Sequence, residues 1–159
     1  LRSIVGQQIS VIAADAVWGR LVKLVEKVTP EAILAFSPEE LASCGLSRPK
    51  SNYIHGLALK SNELLLQNWN DYSDVELLTH FTKFRGIGSW TAEMILIFTL
   101  MRQDIFSIGD IGLIRAVQQL VPEADTKEKV LEISKRWAPY RTAASWYLWR
   151  MLDPVPVEY

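Results

Sequence analysis

Gly86-Ile87-Gly88-Ser89-Trp90-Thr91-Ala92 is the stretch on which the reading of this chain turns. Two glycines flank one isoleucine, and an apolar run from Met94 to Leu100 follows. Lacking a Cβ, glycine lets the backbone turn sharply and come close to another group. Ser89 is positioned to cap a helix starting near Trp90. Upstream, Val75 to Phe81 carries a second helical pattern, with Ser73-Asp74 as its cap. The local reading is helix, tight hairpin, helix. Backbone N–H groups converge at such a helix start and suit an anion such as a phosphate. The same spacing also fits an ordinary turn between two packed antiparallel helices, because a G-x-G alone has little specificity.

Outward from the hairpin the whole chain reads as helical. Ile4 to Lys27 is expected to form one helix, with Val5, Ile9, Ile12, Ala16, Leu21 and Leu24 near a helical period. Thr29-Pro30 and Ser37-Pro38-Glu39-Glu40 are start signals, and the second short helix stops at Gly45. Ser47-Arg48-Pro49 opens a helix to about Leu66, with Tyr53, Ile54, Leu57, Ala58, Leu64 and Leu65 as its buried stripe. Asn68 to Tyr72 is a loop, and Ile105 to Gly109 a short extended stretch. Further helices are expected after Asp110, from Thr126 to about Trp137, and from Pro139 through Met151. No strand pattern long enough to found a sheet is present. The expectation is an all-α protein of about eight to ten short helices. It divides into a lobe over 1–102, with the helix-hairpin-helix at about 74–101, and a second over 103–159. A cleft is expected at the junction.

Composition sets limits on function. At 159 residues the chain can bury one sizeable core or two small ones, and 49% apolar content argues against disorder. No apolar run reaches the length of a membrane span, so no membrane partner is expected. Leu1 is not a natural start and lies inside a helical pattern, so an N-terminal part is expected to precede it. Cys44 is the single cysteine, which excludes an internal disulfide and a four-cysteine iron–sulfur cluster within this chain and points to a reducing compartment. His55 and His80 make no zinc-binding spacing with it. The net charge of −1 lacks the basic excess usual in nucleic-acid-binding domains, although backbone amides bind phosphate without adding formal charge.

Three features can carry chemistry. Asp110 stands between Gly109 and Ile111-Gly112 at a helix start. It is either a simple cap or a carboxylate that stabilises positive charge and activates water. Trp146 and Trp149 are three apart on the last helix, and Trp90 sits at the hairpin. Such rings either fill a small helical core or form a cage for a flat cationic ring. Gln7 and Gln8 interrupt an apolar segment. They either face solvent or hydrogen-bond a partner, since buried unpaired amides are costly.

Taken in order, these segments resemble the helix-hairpin-helix (HhH-GPD) DNA glycosylases, and most closely the 3-methyladenine DNA glycosylase II, or AlkA, type. The resemblance rests on Arg2-Ser3-Ile4-Val5-Gly6-Gln7-Gln8-Ile9-Ser10, on Gly45-Leu46-Ser47 with Lys50 and Tyr53, and on the hairpin itself. It continues through Asp110 with Leu113-Ile114-Arg115, and through Trp137-Ala138-Pro139-Tyr140-Arg141 with Ala144 and Trp149. The blocks cover nearly the whole chain, and the ordered set is far more specific than the hairpin alone.

The resemblance implies the two-lobed fold of that family and base excision from damaged double-stranded DNA, with the protein acting as a monomer. Asp110 is the implied catalytic carboxylate. Trp90, Trp149 and Met94 match base-pocket positions, Met94 standing where some relatives carry an aromatic ring. Arg85, Gly86, Ile87, Gly88 and Ser89 match the phosphate-binding hairpin. Gln8 matches the side chain that plugs the duplex, and Gln7 and Ser10 match weaker minor-groove contacts. The carbonyls of Thr82, Phe84 and Ile87 match positions where the family holds a structural Na+ or K+; no cofactor is required. Bifunctional members carry a lysine at the position of Trp90, so a monofunctional enzyme is expected. The expected reaction is release of alkylated purines, 3-methyladenine and 7-methylguanine, leaving an abasic site. A glycosylase for uracil, hypoxanthine or mismatched bases, or a non-catalytic helix-hairpin-helix DNA-binding module, are the alternatives. The expected location is the bacterial cytoplasm at the nucleoid, or the nucleus in a eukaryote.

Overall fold

Capping side chains set most of the α-helix starts among the described residues. The computed structural model describes residues 1–152, and every regular element among them is helical. Ser10, Thr29, Ser37, Ser47, Ser73, Asp110 and Thr126 each accept the backbone N–H three residues on. Each satisfies a donor that the first helical turn leaves without an intrahelical partner. Ser37 with Glu40, and Ser73 with Glu76, close full capping boxes.

The expected single helix over Ile4 to Lys27 is two helices, α1 (Arg2–Gly6) and α2 (Val11–Val25). Gln7 leaves helical geometry at ψ 126°, Gln8 takes a left-handed backbone at φ 59°, and Ser10 starts α2 by accepting from Ala13 N at 3.3 Å. The apolar period runs through the break and conceals it, yet Ile9 and Ile12 are exposed (41% and 84%) and the buried face of α2 is Val17, Leu21 and Val25. Next come α3 (Pro30–Leu34), α4 (Pro38–Ala42), α5 (Arg48–Leu59) and α6 (Ser61–Leu64). The helix expected to reach Leu66 therefore ends at Leu59, where Lys60 leaves helical geometry and its N–H closes on Gly56 O. Leu65 points out at 60% exposure rather than joining the buried stripe. After a 3-10 turn at Trp69–Asp71 follow α7 (Asp74–Phe81), α8 (Ser89–Phe98), α9 (Ile111–Leu120), α10 (Lys127–Ser134) and α11 (Arg141–Leu152). Two starts differ from expectation. Ser89 is the first residue of α8 rather than its cap. Helix α11 begins at Arg141, two residues beyond the cis Ala138–Pro139 bond.

The chain divides into two compact units, Leu1–Thr91 and a second beginning at Ala92, with the division inside α8. In the first, α1 packs on α2 and α5, and α5 also packs on α3 and α4. Ile4, Val5, Leu21, Ile33, Leu41 and Ile54 are buried there. Lys50 reaches from α5 to the end of α1, donating Nζ to Val5 O (2.7 Å) and Gln7 O (2.6 Å). The ammonium thus closes carbonyls at a helix C-terminus, and burial lowers its pKa below the ordinary lysine value. Trp69 stacks on Phe81 of α7, ring centroids 5.4 Å apart.

In the second unit α9 packs against α10 and α11 around Phe106, Leu113, Ala116, Val117, Ala124, Val130 and Leu148. The segment before α9 forms no regular element. It is strapped instead to the start of α11. Thr142 Oγ1 donates to Arg102 O (2.7 Å) and accepts from Ile105 N (3.0 Å), and Thr142 N donates to Gln103 O (2.9 Å). Asp104 accepts from Arg141 Nε (2.7 Å) and Nη2 (2.9 Å), and from Arg141 N (3.2 Å). One carboxylate thereby pairs a guanidinium and caps α11.

Candidate functional site

The hairpin of the first unit is a closed turn. Phe84 N donates to Phe81 O (3.1 Å) and Ile87 N to Phe84 O (3.0 Å), with Ile87 buried as the anchor. The two glycines do different jobs. Gly86 has φ +95°, and a Cβ there would lie 2.5 Å from Tyr53 Cγ. Only glycine accepts both the backbone angle and the ring. Gly88 would set its Cβ in open space, with nothing within 4 Å. That openness is what a close-approaching group needs. Arg85 is exposed, its guanidinium carbon 5.8 Å from the centroid of the Tyr53 ring. Ser89 is exposed as well. Thr82 is exposed, and the Phe84 carbonyl, already accepting from Ile87 N, keeps a second lone pair. Oxygen ligands of this kind suit a hard monovalent cation.

The glutamine pair divides in the same unit. Gln7 Nε2 donates to Gly86 O (3.0 Å) and to the buried hydroxyl of Thr91 (2.9 Å), so its amide grips the hairpin. Gln8 is exposed on its left-handed backbone. The Ser10 hydroxyl is engaged as the cap of α2. Trp90, second residue of α8, is half-buried.

In the second unit Asp110 is the N-cap of α9, its Oδ1 accepting from Leu113 N at 3.0 Å. Two residues on, a Cβ on Gly112 would stand 3.0 Å from Asp110 Oδ1 and 3.7 Å from Trp149 Cδ1. Glycine at 112 thus lets the Asp110 carboxylate and the edge of the Trp149 indole both pack close to the backbone of α9, where a methyl group would crowd the carboxylate. Trp149 is half-buried and stacks on Phe98, centroids 5.7 Å apart at 26°. Trp146 does not join it. It is 50% exposed and meets Tyr147 edge-on, with Arg150 over its face. Met94 is buried at 1% exposure.

The sequence reading missed Glu93. Its Oε2 accepts a hydrogen bond from the buried Ser107 hydroxyl. Burial raises its pKa above the ordinary glutamate value, the Ser107 hydroxyl opposes that, and the nearby Asp110 charge adds to the rise. Ser107 O in turn accepts from Asp110 N at 3.1 Å. A single acid midway along a largely apolar helix was the available signal, because such a charge is retained only with a partner.

A hairpin left open at Gly88, and a carboxylate and an indole packed against Gly112, are the site features that the two units present. Residues 1–139 match the HhH-GPD superfamily base excision DNA repair proteins, and the chain belongs to that family. It is 34% identical over 158 residues to DNA-3-methyladenine glycosylase 1 of Schizosaccharomyces pombe, covering 94% of this chain and 69% of that one. It is 35% identical over 126 residues to DNA-3-methyladenine glycosylase of Bacillus subtilis, covering 77% of this chain but only 42% of the relative. Among solved structures it resembles the S. pombe 3-methyladenine DNA glycosylase in complex with abasic DNA, at TM-score 0.83 and 31% identity, over 99% of this chain and 80% of the other.

Proposed function

We propose that this chain is the base-releasing part of a monofunctional DNA glycosylase that takes alkylated purines, 3-methyladenine and 7-methylguanine, from double-stranded DNA. The observation that carries this reading is that the Asp110 carboxylate and the Trp149 indole both stand against the same glycine, Gly112.

The target nucleotide must leave the stack, at a cost of roughly a few kcal/mol that is smaller for a damaged pair. Gln8, exposed on its turn, fills the vacated position. Backbone amides of the hairpin from Arg85 to Ser89, other than Ile87 N, which donates to Phe84 O, hold a phosphate, which Gly88 lets approach closely. The carbonyls of Thr82, Phe84 and Ile87 would hold a monovalent Na+ or K+, whose charge would add to that phosphate contact. Trp90 and Trp149 are the aromatic rings assigned to the cationic base, and Met94, which is buried, is the third residue assigned to its pocket.

The glycosidic C–N bond then breaks, and its electron pair neutralises the departing base. Positive charge moves to the sugar, where the Asp110 carboxylate stabilises it. A water oxygen bonds to the sugar carbon, and its proton passes to Asp110 or solvent. A cationic leaving group needs no general acid. Trp90 carries no amine, so no Schiff base forms and the strand stays intact.

The test is base release from duplexes with one defined lesion, comparing wild type with Asp110→Asn. Asparagine keeps the cap of α9, so the fold is retained. Loss of rate on the order of 10²-fold or more is expected. Equal rates would remove Asp110 from the chemistry, and a borohydride-trapped covalent adduct would overturn the monofunctional assignment.

A further inference from the structure

Glu93 does nothing in the reaction described above, yet it is placed as few surface acids are. It lies on α8, its carboxyl is held by the Ser107 hydroxyl, and Ser107 is fully buried. Ser107 belongs to the segment that leads to Asp110, and its carbonyl receives the Asp110 N–H at 3.1 Å. The chain of contacts therefore runs from the Glu93 carboxyl to Ser107 Oγ, along one residue to Ser107 O, and on to the backbone of Asp110. The strap at Thr142 fixes the far end of the same segment, at Arg102 O and Ile105 N. Glu93 fixes the near end.

We infer that Glu93 is a positioning residue for Asp110: through Ser107 it fastens the segment before α9 to α8 and so sets where the Asp110 carboxylate stands. The inference rests on the glycosylase reading, in which Asp110 acts on the sugar. The groups bearing on Glu93 are the Ser107 hydroxyl, from the segment before α9, and the Asp110 carboxylate, at the start of α9. Asp110 itself is held on both sides, by Ser107 O at its N–H and by Leu113 N at its Oδ1. A carboxylate fastened at only one of these points keeps its identity but loses its aim, and misplacement by about 1 Å costs on the order of 10²-fold in rate.

The experiment has two arms on the whole chain. In the first, Glu93→Ala, Glu93→Gln and Ser107→Ala are assayed for base release from a single-lesion duplex. Glu93→Ala is expected to lower kcat at least about tenfold with KM unchanged. Glu93→Gln retains an oxygen that accepts from Ser107 and is expected to recover most of that loss. Ser107→Ala, a smaller change at a buried site, is expected to reproduce the kcat loss should Glu93→Ala not fold. A loss confined to KM, or Glu93→Gln as impaired as Glu93→Ala, overturns the inference. In the second arm the Glu93 side-chain carboxyl is followed by carbon NMR against pH, with and without Asp110→Asn. Removing the Asp110 charge is expected to move the Glu93 midpoint to lower pH, and an unmoved midpoint overturns the coupling. If wild type releases no base while the midpoint still moves, the glycosylase reading fails and the Glu93–Asp110 coupling stands.

Discussion

Gln7 Nε2 donates to Gly86 O at 3.0 Å, joining residues 79 positions apart in the chain. The same nitrogen reaches the Thr91 hydroxyl at 2.9 Å. One amide thus locks the turn that carries Gln8 to the hairpin that carries Gly88. Gln7→Ala leaves a buried hydroxyl and a half-buried carbonyl short of their donor. It is expected to cost about 1–3 kcal/mol in urea unfolding. Gln8→Ala, altering an exposed side chain, is expected to leave stability within about 0.5 kcal/mol of wild type while weakening binding to a lesion duplex.

The two hairpin glycines are expected to separate folding from binding. Gly86→Ala meets both a positive φ and the Tyr53 ring at 2.5 Å. A loss of about 1–3 kcal/mol is expected in thermal or urea unfolding. Gly88→Ala finds open space, so stability is expected to hold. Affinity for an abasic duplex is expected to fall, because the new methyl would stand where the proposed phosphate contact is made. Unchanged affinity would take Gly88 out of the interface.

Asp110 has one observed job, as a cap, and one proposed job, as the catalytic carboxylate, and substitution can divide them. As the cap of α9 it accepts from Leu113 N. Asp110→Ala removes both cap and carboxylate, and is expected to cost about 1 kcal/mol of stability as well as activity. Asp110→Asn keeps the cap and is expected to lose activity alone. Unfolding curves for the two variants, beside wild type, give the comparison.

Acid sensitivity is expected to come in part from the pair that caps α11. The Arg141 guanidinium beside Asp104 holds its carboxyl below the ordinary aspartate value of 3.8. A carboxylate with a depressed folded pKa contributes stability that is present above the unfolded value and lost as pH falls through the folded one. Glu40 and Glu76, engaged in their capping boxes, are shifted in the same direction. Glu93 has the opposite sign, since burial raises it. Urea midpoints are therefore expected to drop between pH 6 and pH 3 in wild type. Asp104→Asn is expected to begin lower at pH 6 and to lose less over the same interval.

Much of this was legible in the sequence because capping chemistry is local. Ser37, Ser73 and Thr126 announce their helices within three residues. Asp110 was recognisable as a helix start flanked by glycines, and both of its readings, cap and carboxylate, remain compatible with its geometry. What could not be read depends on contacts distant in sequence. The break at Gln7 to Ser10 lay under an apolar period that continued straight through it. Gln7 found its partners 79 and 84 residues away. Trp146 and Trp149 share a helix and a spacing, but only Trp149 has Phe98 to stack on. Glu93 gave little sign of its role until Ser107 was seen against it.

Gln8 holds a left-handed backbone, φ 59°, in the protein by itself. For a residue with a Cβ that geometry costs on the order of 1 kcal/mol, and the fold carries the cost before any duplex arrives. The proposed plug therefore needs no loop rearrangement at the moment of insertion. Only a side chain has to find its rotamer, a motion of picoseconds to nanoseconds, whereas loop motions take nanoseconds to microseconds. In the contest between a displaced nucleotide returning to its stack and a protein side chain occupying the vacancy, a turn bent in advance gives the protein a kinetic head start.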